Sequence, residues 1–326
     1  MARTAEKTLR IVAPELQEVE DKLLETTQVS FQPLSQALSY LLLGGGKRLR
    51  PAIIILAAKL HRFDPPSVCC LAAAVEMLHT ATLVHDDMLD NSLVRRGKPT
   101  LNQTWDESST ILVGDYLFAQ AAFLAAETDN LRVMRIFSDA VMTICSGEIR
   151  QIFQANGDGQ GQTLDGYFQS IYAKTASLFA ASAEAGAVLG QLPEEDIASL
   201  RDYGYNLGMA FQITDDVLDF TGDERRLGKP VGSDLRRGLL TLPSLNFQAQ
   251  NPQDQRLTRV LDQGDASEGI ILDIIGAITR SGAIEASLAK AREYSLRARK
   301  NLKALPDNPY RQALIELADF TSERKK

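Results

Sequence analysis

The chain has 326 residues, 44% of them hydrophobic and 24% charged, and a formal net charge of −7. These values lie in the globular range and exclude a disordered, collagen-like or fibrous polypeptide. The acidic balance argues against a general nucleic-acid or anionic-membrane binder, either of which would want a cationic surface.

From the N-terminus, residues 1–20 are charged throughout and lack the apolar core of a secretory signal. The longest apolar stretches, around 52–58 and 118–126, are shorter than the roughly 18–20 residues that cross a bilayer. A cytoplasmic protein with no membrane span is expected. Cys69, Cys70 and Cys145 form no disulfide framework or metal-binding spacing and read as small apolar residues in a reducing compartment.

Helical signals run from end to end, with apolar residues recurring at three- and four-residue intervals. Ala52-Ile53-Ile54-Ile55-Leu56 is the best strand candidate, but Ala57 and Ala58 make it read as a buried helix. Breakers divide the chain at Gly44-Gly45-Gly46, Asp64-Pro65-Pro66-Ser67, Arg96-Gly97-Lys98-Pro99, 156–161, 190–193, 228–232, Asn251-Pro252 and 306–309. Ser67, Thr163 and Ser267 are placed as helix N-caps. Segments 68–84, 112–126, 173–190 and 206–218 carry few charges and should form the interior of a large bundle. No linker or composition change divides residues 1–326, so one all-α domain, its core about 30–320, is expected.

One motif occurs twice: Asp86-Asp87-Met88-Leu89-Asp90 and Asp215-Asp216-Val217-Leu218-Asp219 share the pattern Asp-Asp-x-x-Asp, each approached by an apolar helical run. On a helix, positions i and i+4 differ by about 40° in azimuth, and i+1 lies about 60° beyond. Three carboxylates then crowd one face, and a positive partner is required. Oxygen donors with open positions suit hard cations, and Mg²⁺ prefers one or two carboxylates plus substrate phosphates. A single copy would equally serve as a solvated helix end, and neither copy continues into an EF-hand loop.

Cations are interleaved with these acids: Lys47, Arg48 and Arg50 after the glycine run, Arg95 and Arg96 after the first motif, and Lys174, Lys229, Arg236 and Arg237 near the second. Lys47 and Arg50 share a face if their segment is helical. The glycine run lacks the P-loop spacing. Two carboxylate triads with two sets of Lys and Arg are what a cavity needs to hold two polyphosphates, one through metal ions and one by charge-assisted hydrogen bonds.

Residues 76–102 and 211–243, with Gly-Gly-Gly-Lys-Arg-Leu-Arg-Pro and Ala173-Lys174-Thr175-Ala176, resemble the trans-isoprenyl diphosphate synthases, or polyprenyl synthetases, of medium- to long-chain type. The resemblance implies an all-α isoprenoid synthase bundle around a deep central cavity, a homodimer, and head-to-tail condensation of an allylic diphosphate with isopentenyl diphosphate. It implies that Asp86, Asp90 and Asp215, supported by Asp87, Asp216 and Asp219, hold about three Mg²⁺ on the allylic diphosphate. By the same resemblance Arg95, Lys174 and Lys229 grip that group, Lys47, Arg50, His79 and Arg96 bind isopentenyl diphosphate, and Thr175 and Gln212 line the reacting centre. The released diphosphate takes the final proton, so no side-chain base is named. His85 is structural or supports its neighbour Asp86. Many members carry Lys where this chain has Leu239, a departure that Arg236 or Arg237 could offset.

The growing hydrocarbon should follow the helix that ends at Asp86, with Ala81 and Thr82 about 6–8 Å below the acids. Short-chain members often block this level with an aromatic residue, so the small Ala81 points to a product of twenty carbons or more. By resemblance to medium- and long-chain members Phe137 is the candidate tunnel floor, an ordinary core aromatic being the alternative. Competing readings are a class I terpene cyclase, a non-catalytic subunit of a heteromeric synthase, and a plain divalent-metal-binding helical protein. The cyclase binds one diphosphate, and such subunits tend to lose aspartates.

Overall fold

The structure is a computed structural model that describes residues 8–95, 97–155, 163–222, 230–257, 260 and 267–323. It is built almost wholly of helices: α1 Ala13–Thr26, α2 Gln32–Leu42, α3 Leu49–Ala58, α4 Pro65–Leu89, α5 Glu107–Ala126, α6 Leu131–Ala155, α7 Leu164–Ile171, α8 Ser177–Leu189 and α9 Glu194–Thr221. After these come α10 Ser233–Arg236, α11 Leu242–Gln250, α12 Glu268–Arg280, α13 Ala283–Asn301 and α14 Pro309–Glu323. The 52–58 run is buried throughout as part of α3, as its alanine flanks indicated. Strand content among the described residues is one antiparallel pair, β1 Val94–Arg95 with β2 Lys98–Pro99, the second of which lies in the stretch read from sequence as a breaker.

Two helix starts test the capping assignments. Thr163 caps α7, its hydroxyl accepting the Gly166 amide at 3.1 Å. Ser67 does not cap α4. The helix begins two residues earlier at Pro65, where a ring with fixed φ suits the first helical position, and the Ser67 hydroxyl donates to Asp64 at 2.6 Å.

Two apolar clusters form the interior. One gathers α1 to α6, α8, the first half of α9, the end of α13 and α14; the other gathers α7, α10 to α12, most of α13 and the second half of α9. Because α9 belongs to both, its Asp-Asp-x-x-Asp end is fixed by the whole bundle. Close approach is bought with glycine: a Cβ on Gly208 would stand 2.5 Å from the Ala176 Cα, so α9 lies directly on the π-helical turn Tyr172–Ala176.

Two helices, Pro65–Leu89 and Glu107–Ala126, are long and apolar enough to cross a membrane, contrary to the length argument from sequence. The first packs as a core helix, with 72% of its apolar window buried. The second is not the interior helix expected, because Ile111, Leu112 and Phe123 on α5 are exposed.

Candidate active site

Helix α4 presents His79, Thr82, Leu83, Asp86 and Asp90 to a cavity of about 880 Å³. Their spacing of three, four and seven is one helical stripe. Helix α9 presents Phe211, Gln212, Asp215 and Asp216 to the same cavity. Thus the two motifs meet across one space, but with four of their six carboxylates.

Asp87 and Asp219 depart from the reading of three acids on each face. Asp87 lies a full 100° round the helix from Asp86, and Arg95 clamps it, Nε donating to both oxygens at 2.9 Å and Nη2 approaching to 2.7 Å. It borders a smaller adjoining crevice instead. Burial raises the pKa of its carboxyl, a shift that Arg95 opposes. Asp219 sits beyond the cavity at the end of α9, 2% exposed. It accepts from the Ser233 hydroxyl at 2.8 Å and the Asp234 amide at 3.3 Å, and so braces the following loop.

The cavity-facing acids are paired. Lys174 reaches Asp86 at 3.2 Å and Glu148 of α6 at 2.8 Å. Burial works against the Lys174 ammonium, but these two carboxylates outweigh it and hold its pKa above the ordinary value. Glu148 is itself raised, first by burial. Asp90 pairs with Arg237, which also holds Asp234 at 2.9 Å. Asp216 is buried and accepts from the Tyr167 hydroxyl at 2.6 Å and the Gln212 amide at 2.8 Å. Burial, then the charge of Asp234, pushes its carboxyl well above the usual range. The Thr175 hydroxyl donates to Gln212 at 2.7 Å, completing a chain from the π turn to the second motif.

Lys47, Arg48 and Arg50, at the end of the glycine-rich loop and the start of α3, border the same cavity as His79 of α4. Lys47 and Arg50 do not share a helical face, since α3 starts only at Leu49 and Arg48 is in the left-handed conformation at φ 48°. Arg50 lies 4.5 Å over the Phe179 ring and Lys47 5.4 Å over Phe320. Arg96 and Lys229 lie outside the described residues. His85 turns to α5, its ring meeting the Ile111 carbonyl at 3.1 Å and Phe118 at 5.4 Å, in space that Gly114 leaves open. The cavity wall takes in Thr82, whereas Ala81 and Phe137 are buried in the core outside it. Sequence reasoning missed Tyr167, Glu148 and Asp234, single polar residues whose pairing across the fold gave no local signal.

Among the described residues no three His, Cys, Asp or Glu side chains converge closely enough to hold an ion alone. The donor set nevertheless fits Mg²⁺: hard carboxylate oxygens on two facing helices, with room between for water and phosphate oxygens. The charges of Asp86 and Asp90 are met here by Lys174 and Arg237.

An all-α bundle with two facing aspartate pairs and a cationic wall around one cavity defines a prenyltransferase of the isoprenoid synthase fold. Residues 31–278 match the polyprenyl synthetase family, and the chain belongs to that family. It is 38% identical over 313 residues to heptaprenyl diphosphate synthase component 2 of Geobacillus stearothermophilus, covering 96% of this chain and 97% of that protein. It is 36% identical over 323 residues to octaprenyl diphosphate synthase of Escherichia coli K12, covering 98% and 99%. The crystal structure of a polyprenyl synthase from Caulobacter crescentus CB15, complexed with calcium and isoprenyl diphosphate, superposes with a TM-score of 0.93 at 37% identity, covering 99% of this chain and 98% of that one.

Proposed function

We propose that this prenyltransferase condenses an allylic diphosphate with isopentenyl diphosphate, head to tail, to make an all-trans polyprenyl diphosphate of twenty carbons or more. The observation that carries the reading is one cavity bordered by Asp86 and Asp90, by Asp215 and Asp216, and by Lys47, Arg50 and His79. Two anionic groups can therefore be held side by side.

The allylic C–O bond breaks and its electron pair leaves with diphosphate. The isopentenyl double bond attacks the resulting allylic cation, and the adduct loses a proton to the released diphosphate. Groups that bind the departing anion more tightly than the ester lower the barrier. Bound Mg²⁺, about three ions, would supply most of that charge, held by Asp86, Asp90, Asp215 and Asp216. Lys174 and Arg95 grip the same diphosphate, with Lys229 and the acids Asp87 and Asp219 in support. A close unit-charge pair is worth about 4 kcal/mol at 4 Å and an effective dielectric near 20, before desolvation. Lys47, Arg50, His79 and Arg96 hold isopentenyl diphosphate. Thr175 and Gln212 orient the reacting carbons, and Ala81, Thr82 and Phe137 set chain length.

The exposed apolar residues Ile111, Leu112 and Phe123 on α5 and Met142, Ile149 and Phe153 on α6 support a homodimer through these helices. Cys69, Cys70 and Cys145 are all free, which supports a reducing, cytoplasmic setting. A heteromeric synthase is the second reading, favoured by the name of one relative, a synthase "component 2". The test is incubation of the purified chain with labelled isopentenyl diphosphate, Mg²⁺ and each of several allylic primers, with chromatography of the dephosphorylated products. Label in prenyl alcohols of twenty carbons or more is expected. A cyclic hydrocarbon formed from the allylic primer alone would overturn the reading, and turnover only on mixing with a second protein would favour the heteromer.

A further inference from the structure

Arg236 and Arg237 are neighbours in sequence yet hold different partners. The turn after α10 is tied to one carbonyl: the amides of Arg237 and Leu239 reach the Asp234 oxygen at 3.1 and 3.0 Å. Gly238 adopts φ +74°, a left-handed conformation that reverses the chain at little cost only without a Cβ. Arg236 stays off the cavity lining, gripping Glu268 through both terminal nitrogens and giving its Nε to the Val231 carbonyl at 3.2 Å. Arg237 borders the cavity and forks between Asp90 of the first acidic motif and Asp234. Leu239 borders the same cavity with no charge to offer.

We infer that Arg237 is a ligand of the substrate diphosphate, while Arg236 takes no part. The inference rests on the diphosphate-transfer reading above. A guanidinium fork fits phosphate as it fits carboxylate, two parallel N–H groups to two oxygens. Arg237 already spans two oxygen-bearing partners in the cavity, one of them an acid of the first motif. A phosphate held beside Asp90 meets this fork without any change in the backbone turn that aims it.

Calorimetric titration of the full chain with inorganic pyrophosphate in Mg²⁺ tests the assignment without turnover. Arg237→Ala should weaken pyrophosphate binding about tenfold or more, and Arg236→Ala should stay within about twofold of the parent. Circular dichroism confirms that each variant is folded, and Arg237→Lys, which keeps the charge, supplies an intermediate value if the alanine variant does not fold. Unchanged or tighter binding by Arg237→Ala, or an equal loss in Arg236→Ala, would overturn the assignment. Failure of the parent chain to bind pyrophosphate at all would instead overturn the diphosphate reading of the cavity.

Discussion

Arg48 donates from Nη1 to Glu76 at 2.7 Å, joining the end of the glycine-rich loop to the middle of α4, and both side chains are buried. The same guanidinium gives Nε to Glu20 at 2.6 Å and Nη2 to the Leu42 carbonyl at 2.7 Å. It therefore fixes the left-handed residue between Lys47 and Arg50, the two cations aimed at the cavity. Arg48→Ala should cost about 3–5 kcal/mol, because it strands a buried carboxylate and carbonyl. Arg48→Lys cannot reproduce the fork and should raise KM for isopentenyl diphosphate several-fold more than KM for the allylic primer. Steady-state kinetics on the folded Lys variant checks this, and equal rises in both constants would reduce Arg48 to a structural role.

The helices and both acidic motifs were legible because period and composition are local properties of the chain. Pairing across the fold was not. Tyr167 meets Asp216 across 49 positions of sequence, and nothing around Tyr167 distinguishes it from an ordinary helix aromatic. The three-acid face failed on geometry that the motif alone does not contain. Asp87 is held off the cavity by its clamp to Arg95, whereas Asp216 at the matching place on α9 borders it. Asp219 is held off it where the loop from Gly232 closes over the end of α9 and engages its carboxylate. The α5 surface was misjudged because a run of apolar residues does not state which of its faces another helix covers.

Gly208 controls whether Gln212 can meet Thr175. A side chain at 208 would collide with the Ala176 backbone at 2.5 Å and its Cβ at 2.9 Å, forcing α9 off the π turn that carries Lys174 and Thr175. Gln212 lies one turn further along α9 and would move with it. Gly208→Ala should lower kcat by about a hundredfold, the scale set by a misplacement near 1 Å at a reacting centre. KM for either substrate should change much less. Pre-steady-state single-turnover rates, with circular dichroism to confirm helix content, separate this from simple unfolding.

On the proposed function, chain length is set by how far the product descends past Thr82 into the core that holds Ala81 and Phe137. Ala81 is fully buried on α4, so an aromatic ring there has no solvent to enter and must occupy space beside the helix. Ala81→Phe should shorten the product, and Phe137→Ala should lengthen it. Phe137→Ala also removes a buried ring and should cost about 3–5 kcal/mol, so product analysis belongs at reduced temperature. Unchanged product length in both variants, read by reversed-phase chromatography of the alcohols, would remove this pair from the account of the tunnel.

The sharpest test of the site separates the acids by where they point. Asp86 and Asp215 face the cavity, one paired to Lys174 at 3.2 Å, and each should contribute directly to holding metal and diphosphate. Asp86→Asn and Asp215→Asn should lower kcat by about two to three orders of magnitude, as loss of a group that stabilises developing charge does, and should raise the Mg²⁺ concentration needed for half-maximal rate. Asp219 instead accepts from Ser233 and from the Asp234 amide. Asp219→Asn keeps one acceptor oxygen and the side chain's shape, so it should lower the melting temperature by weakening the loop brace, with a smaller loss of rate and little change in the Mg²⁺ requirement. Asp234, which carries one arm of Arg237, moves with that brace, so any loss in Asp219→Asn should appear mainly as weaker pyrophosphate binding. An Asp219→Asn variant as inactive as Asp86→Asn, with an equal demand for Mg²⁺ and an unchanged melting temperature, would show that the turned-away carboxylate reaches the cavity during turnover.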